Sequence, residues 1–107
     1  MPPRAADAGA LDAFLEMLSA ERGAAANTLT AYARDLAQAS AALPAGLLAA
    51  DLAALRALLA GWEGLAASSV ARKVSAMRQF YAFTQDEGWR GDNPAAALAR
   101  PAPQRLL

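Results

Sequence analysis

The stretch Ala67–Gly88 repeats its apolar side chains at alternating intervals of four and three residues: Val70, Val74, Met77, Tyr81 and Thr84. Only a helix of 3.6 residues per turn brings such a series onto one side, because a strand needs alternation by two. The opposite side of its first three turns carries Ser68, Arg72, Ser75 and Gln79, with Ser69 and Lys73 on the shoulders. No carboxylate occurs along this stretch before Asp86. A small, polar, cationic helix face of this kind suits a groove lined with phosphates. In the last turns the polar face disappears, since Phe80, Tyr81 and Phe83 nearly surround the axis. That end has to be enclosed, with Trp89 against it.

The rest of the chain repeats the helical period. Of its 107 residues, 32 are alanine and 16 leucine, against two valines and no isoleucine. Strands want β-branched and aromatic residues, so the expected class is all-α, in one small domain. Residues 1–8, with two prolines, read as a disordered leader. Leu11, Phe14, Leu15 and Leu18 mark a first helix that Gly23 stops near Arg22. Asn27 reads as the N-cap of a second helix running to about Ala42, with Leu29, Tyr32, Ala33, Leu36 and Leu43 inward. Its Thr30, Arg34 and Gln38 point outward together, beside Ala31, and taken singly form an ordinary wet face. Pro44 and Gly46 signal a loop, and Asp51 caps a third helix, Leu52–Gly61. Ser68 or Ser69 is the expected cap of the long fourth helix, which Gly88 ends. Asp92-Asn93-Pro94 predicts a short fifth helix, Pro94–Arg100, before an extended Pro101–Leu107 linker.

Composition removes most chemistry. Without cysteine or histidine the chain cannot build a disulfide or a thiolate or imidazole metal site, and no cofactor is expected. The glycines are scattered singly, so there is no phosphate-binding loop. Tyr32 and Tyr81 lie on apolar arcs and read as core rather than as nucleophiles. No apolar run is long enough for a membrane span, and the expected location is the cytoplasm. The fragment itself is not expected to be an enzyme, nor to bind a small molecule.

Binding is what is left. The net charge is zero, but residues 1–64 hold four bases against seven acids, and residues 65–107 six bases against three. The positive half contains the Ala67–Gly88 helix. Ser68, Ser69, Arg72 and Lys73 combine hydroxyls with cations at a helix start, the groups that fix a protein on phosphates. Arg72 alternatively offers a bidentate pair to a guanine edge, with Ser75 and Ala76 small enough for close approach.

At this point two runs, LDAFLEMLSAERGAAANTLTAYARDL and SSVARKVSAMRQFYAFTQDEGWRGDNPA, resemble the amino-terminal core-binding domain of bacterial tyrosine recombinases of the XerC/XerD type. The resemblance covers about residues 11–100 and rests on Glu21-Arg22, Asn27-Thr28-Leu29, Tyr32, Arg34-Asp35, Ser68, Arg72, Ser75, Arg78, Phe80-Tyr81 and Asp92-Asn93-Pro94. The DEGWRGDNP stretch inclines towards the XerD side. The resemblance implies a SAM-like orthogonal bundle of four helices plus a short fifth. It also implies a DNA-clamp domain over residues 9–100, half of a C-shaped clamp on a double-stranded recombination half-site. Helices two and four would face the major groove, with contacts at Thr28, Thr30, Ala31, Arg34, Ser68, Ser69, Arg72 and Lys73; the face reading adds Ser75 and Gln79. Helices one and five would meet sister protomers in a cyclic tetramer. Strand cleavage would belong to a catalytic domain beyond the linker. The competing expectation is a SAM-like protein-interaction module with no nucleic-acid role; a helix-turn-helix regulator is disfavoured by the long Gly61–Ala67 connection.

Overall fold

The apolar-periodic segments become four helices: α1 (Ala5–Arg22), α2 (Ala26–Ala42), α3 (Leu52–Ala60) and α4 (Ala67–Asp86). The computed structural model describes residues 1–98, and those residues contain no strand. The chain is all-α, as its composition predicts. Helices α1, α2 and α4 pack pairwise on one another. Their shared core is built around Phe14 of α1, whose ring meets Phe80 edge-on at 5.7 Å and leans on Phe83 at 5.8 Å. Leu36, Leu43, Leu47, Leu55, Val74 and Met77 fill the remaining space. The aromatic end of α4 is enclosed as expected: Phe80 and Tyr81 are buried, and Trp89 meets Phe83 edge-to-face at 5.5 Å while staying half-exposed.

Two boundary signals act as read. Gly23 adopts a left-handed φ of 60° and closes α1, with the Ala24 N–H donating to the Leu18 carbonyl at 3.0 Å. Asp51 caps α3 by accepting from the Ala54 N–H at 2.8 Å. The starts of α2 and α4 differ from expectation. Their N-caps are Ala25 and Ala66, which places Asn27, Ser68 and Ser69 inside the first turns without a capping bond. Both starts are exposed, so their first-turn amides are open to solvent, and the ~1 kcal/mol of a side-chain cap does not decide the boundary.

The chain's beginning is also different. Residues 5–8 are part of α1 rather than a disordered leader, and Asp7 is buried. Its carboxylate accepts from the Ser40 hydroxyl, from the Leu47 N–H at 2.8 Å and from the Leu48 N–H at 3.1 Å. Arg4 Nε donates to the Ser40 and Leu43 carbonyls, at 3.2 and 3.0 Å, where α2 leaves its last acceptors unpaired. The first residues therefore tie the end of α2 to the turns of residues 44–49. Those turns pass so close that Gly46, at φ 78°, has no room for a side chain against Asp7.

At the other end, Asn93 does start a capped turn, accepting from the Ala95 N–H at 3.1 Å. The fifth helix, however, does not form over its described part. Residues 94–97 make turns, and the Ala95 carbonyl is taken by the Leu98 N–H at 3.1 Å and by Arg78 Nε at 3.3 Å. The rest of that segment and the linker expected over residues 101–107 lie outside the described residues.

Candidate nucleic-acid interface

Helix α2 lies against α4, and their contact edge is polar. Tyr32, Asp35 and Gln38 recur at intervals of three on α2 and face Ser75, Gln79, Arg72 and Lys73 of α4. Gln79 Nε2 donates to the Tyr32 hydroxyl and to Ser75 Oγ, both at 3.0 Å, and its Oε1 accepts from Arg22 of α1 at 3.4 Å. Ser75 and Gln79 are thus half-buried members of a network joining three helices.

Arg72 and Lys73 carry the main surprise. Both are bonded to Asp35, a carboxylate whose side chain is only 3% exposed. Arg72 grips it sideways, Nε to Oδ2 at 2.7 Å and Nη2 to Oδ1 at 3.1 Å. Lys73 Nζ reaches Oδ1 at 3.0 Å and Gln38 at 3.2 Å, and lies 5.6 Å from the Trp62 ring centre. Burial pushes the Asp35 carboxyl up. The hydrogen bonds and charges of Arg72 and Lys73 together outweigh it and hold the group below its usual value. Arg72 is pushed up in turn, first by its hydrogen bond to Asp35.

The two cations are not equivalent. Lys73 is mostly buried, with 12% of its side chain exposed, whereas Arg72 keeps 43% in solvent. A guanidinium has five N–H donors. Asp35 uses the Nε side, so the edge formed by Nη1 and the second Nη2 hydrogen faces away from the carboxylate. Thr28, Thr30, Arg34 and Ser68 are exposed, and Ala31 and Ser69 are half-buried. Successive residues step about 100° round a helix, so Arg34 lies on the face next to Asp35. It is exposed, with no hydrogen bond or ion pair among the described residues. Thr30 turns its hydroxyl back onto the Ala26 carbonyl at 3.0 Å.

The basic half of the sequence is therefore a poor guide to exposed charge. Arg78 binds the carbonyls of Ala95 and Leu98. Arg90 binds the carbonyls of Leu48 and Ala50, both at 2.8 Å, pairs with Asp92 and covers the Tyr81 ring. Tyr81 is a core residue, as read: its hydroxyl donates to the Leu47 carbonyl at 2.8 Å and burial pushes its pKa up. Asp35 was not among the expected contact residues, and Gln38 was read only as part of an outward face; both bond to the α4 cations. Their signal was spacing: Asp35 and Gln38 lie four and seven residues after Ala31 and so fall near it in helical phase.

The family described as "Phage integrase, N-terminal SAM-like domain" matches residues 11–88. The chain belongs to this family. Relatives of the integrase SAM-like domain found here include the tyrosine recombinase XerC of Erythrobacter litoralis, 54% identical over 92% of this chain and 32% of the relative. Others are the tyrosine recombinases XerD of Rhizobium meliloti, 49% identical over 91% of the chain and 33% of the relative, and of Caulobacter vibrioides, 46% over 90% and 33%. The chain spans about a third of the length of these curated relatives. They carry both names, so the inclination towards XerD has no support over XerC. No solved structure matches the chain. Among the described residues, no helix is long and apolar enough to cross a membrane.

Proposed function

We propose that this domain grips duplex DNA as the non-catalytic amino-terminal part of a XerC/XerD-type tyrosine recombinase. Helices α2 and α4 hold a recombination half-site, and strand cleavage belongs to the rest of such a protein, acting in the cytoplasm with sister protomers in a tetramer. The observation that carries the reading is the α2–α4 edge. It carries the half-exposed Arg72 guanidinium braced by Asp35, and the same two packed helices expose Thr28, Arg34, Gln38 and Ser68. Small polar groups and an oriented Arg are what a major groove accepts.

Fluorescence anisotropy with a labelled random-sequence duplex, titrated with salt, tests this. Arg34→Ala should lower the slope of log K against log salt by about one unit, because one phosphate contact is lost. Arg72→Ala should weaken binding. A wild-type chain that retains no duplex at low salt refutes the reading, as do two variants with unchanged affinity and slope. Concentration-dependent self-association without DNA retention would instead mark a SAM-like protein-interaction module.

A further inference from the structure

The geometry points to Asp35 as a positioning residue that turns Arg72 into a reader of a guanine edge, an inference that rests on the DNA-binding reading above. Three observations carry it. Asp35 is buried between α2 and α4 and so cannot itself reach a ligand; it acts through what it holds. It holds Arg72 through two bonds on the Nε side, at 2.7 and 3.1 Å, which restrains the guanidinium plane and leaves the Nη1–Nη2 edge unused by Asp35 on a side chain 43% exposed. Lys73 bonds the same Oδ1 oxygen at 3.0 Å and locks the carboxylate from the other side.

The occupant of that edge follows from charge. A loose cation would serve for a phosphate, and burying a carboxylate behind it only weakens that attraction. Asp35, shared between Arg72 and Lys73, offsets part of the Arg72 charge yet leaves a planar pair of N–H donors. Such a pair suits a neutral edge with two acceptors, and in the major groove that is O6 and N7 of guanine. The carboxylate thus trades attraction to any phosphate for discrimination between bases.

The test uses the whole chain and a pool of randomised duplexes from which bound molecules are selected. The wild type should enrich a G·C pair at one or more positions, and replacing that pair in a single duplex should weaken binding about tenfold or more. Asp35→Asn should bring that factor close to one while steepening the salt slope on random duplex by about one unit, because one anion has been removed. Arg72→Lys keeps the charge and the Lys73–Asp35 pair but loses the planar fork. It should abolish the preference with the slope unchanged, and it decides the matter if Asp35→Asn melts too low to assay. Asp35 with a merely structural role would lower binding to every duplex equally and leave the ratio intact. That outcome overturns the inference, as does a wild type that binds duplex without base preference, or an Arg72→Lys chain that keeps the preference. A wild type that binds no duplex overturns the functional reading instead.

Discussion

Replacing Asp7 by alanine should destabilise the domain far more than a residue near the chain's start ordinarily would. The substitution removes the acceptor of the buried Ser40 hydroxyl, of the buried Leu47 N–H at 2.8 Å and of the half-buried Leu48 N–H at 3.1 Å. A buried donor left without a partner costs about 1–3 kcal/mol. The Leu47 amide and the Ser40 hydroxyl each count near the middle of that range. Water can reach the Leu48 amide, which adds little. The expected loss is about 4 kcal/mol, a large part of the roughly 5–15 kcal/mol that holds a small domain together. Equilibrium urea unfolding followed by far-ultraviolet circular dichroism measures it directly, with the slope m checked for two-state behaviour. Asp7→Asn keeps one carbonyl oxygen for Ser40 and Leu47 and should lose about half as much. Deleting residues 1–8 should cost at least as much as Asp7→Ala, since Arg4 and its bonds to the Ser40 and Leu43 carbonyls go too. A fall below about 1 kcal/mol for Asp7→Ala would refute the reasoning. It would mean that the first eight residues are a dispensable leader, as their composition suggests.

Two further outcomes follow from the same packing. Gly46→Ala should cost about 2–3 kcal/mol, because its φ of 78° is strained for alanine and its Cβ would stand 2.5 Å from the Asp7 carboxylate; Gly64→Ala, with open space around it, is the neutral control in the same urea assay. Asp35 has a folded-state pKa below the usual 3.8, so its stabilisation is present above that value and lost as pH falls through the lower one. Urea midpoints taken at neutral pH and at about pH 3 should therefore fall more for the wild type than for Asp35→Asn, and equal falls would show that the pairs contribute nothing.

Much of the fold was legible because helix signals are local. The interval of three and four from Val70 to Thr84 places Val74, Met77, Tyr81 and Thr84 in the core without knowledge of any other segment. Gly23 and Asp51 act on amides and carbonyls within one turn of themselves, so they too could be read directly. Asn27 and Ser68 could not, because at an exposed helix start water competes on nearly equal terms with a side-chain cap. The candidate site was half legible. Its exposed members, Thr28, Arg34, Ser68 and Arg72, follow from helical phase. What those groups bond to does not.

The sequence by itself determined an all-helical chain, the phase of each helix and the aromatic end of α4, since these depend on residues three or four apart. Only the tertiary structure decided which charges stay available. Asp35 meets Arg72 and Lys73 across 37 and 38 positions, and Asp7 meets Leu47 across 40. Arg78 and Arg90 are spent on backbone carbonyls of distant turns. Ion pairs and buried hydrogen bonds act over a few ångströms in space, whatever the separation along the chain. A count of bases therefore puts Arg72 and Lys73 alike on a cationic face, whereas packing buries one and leaves the other braced and half-exposed.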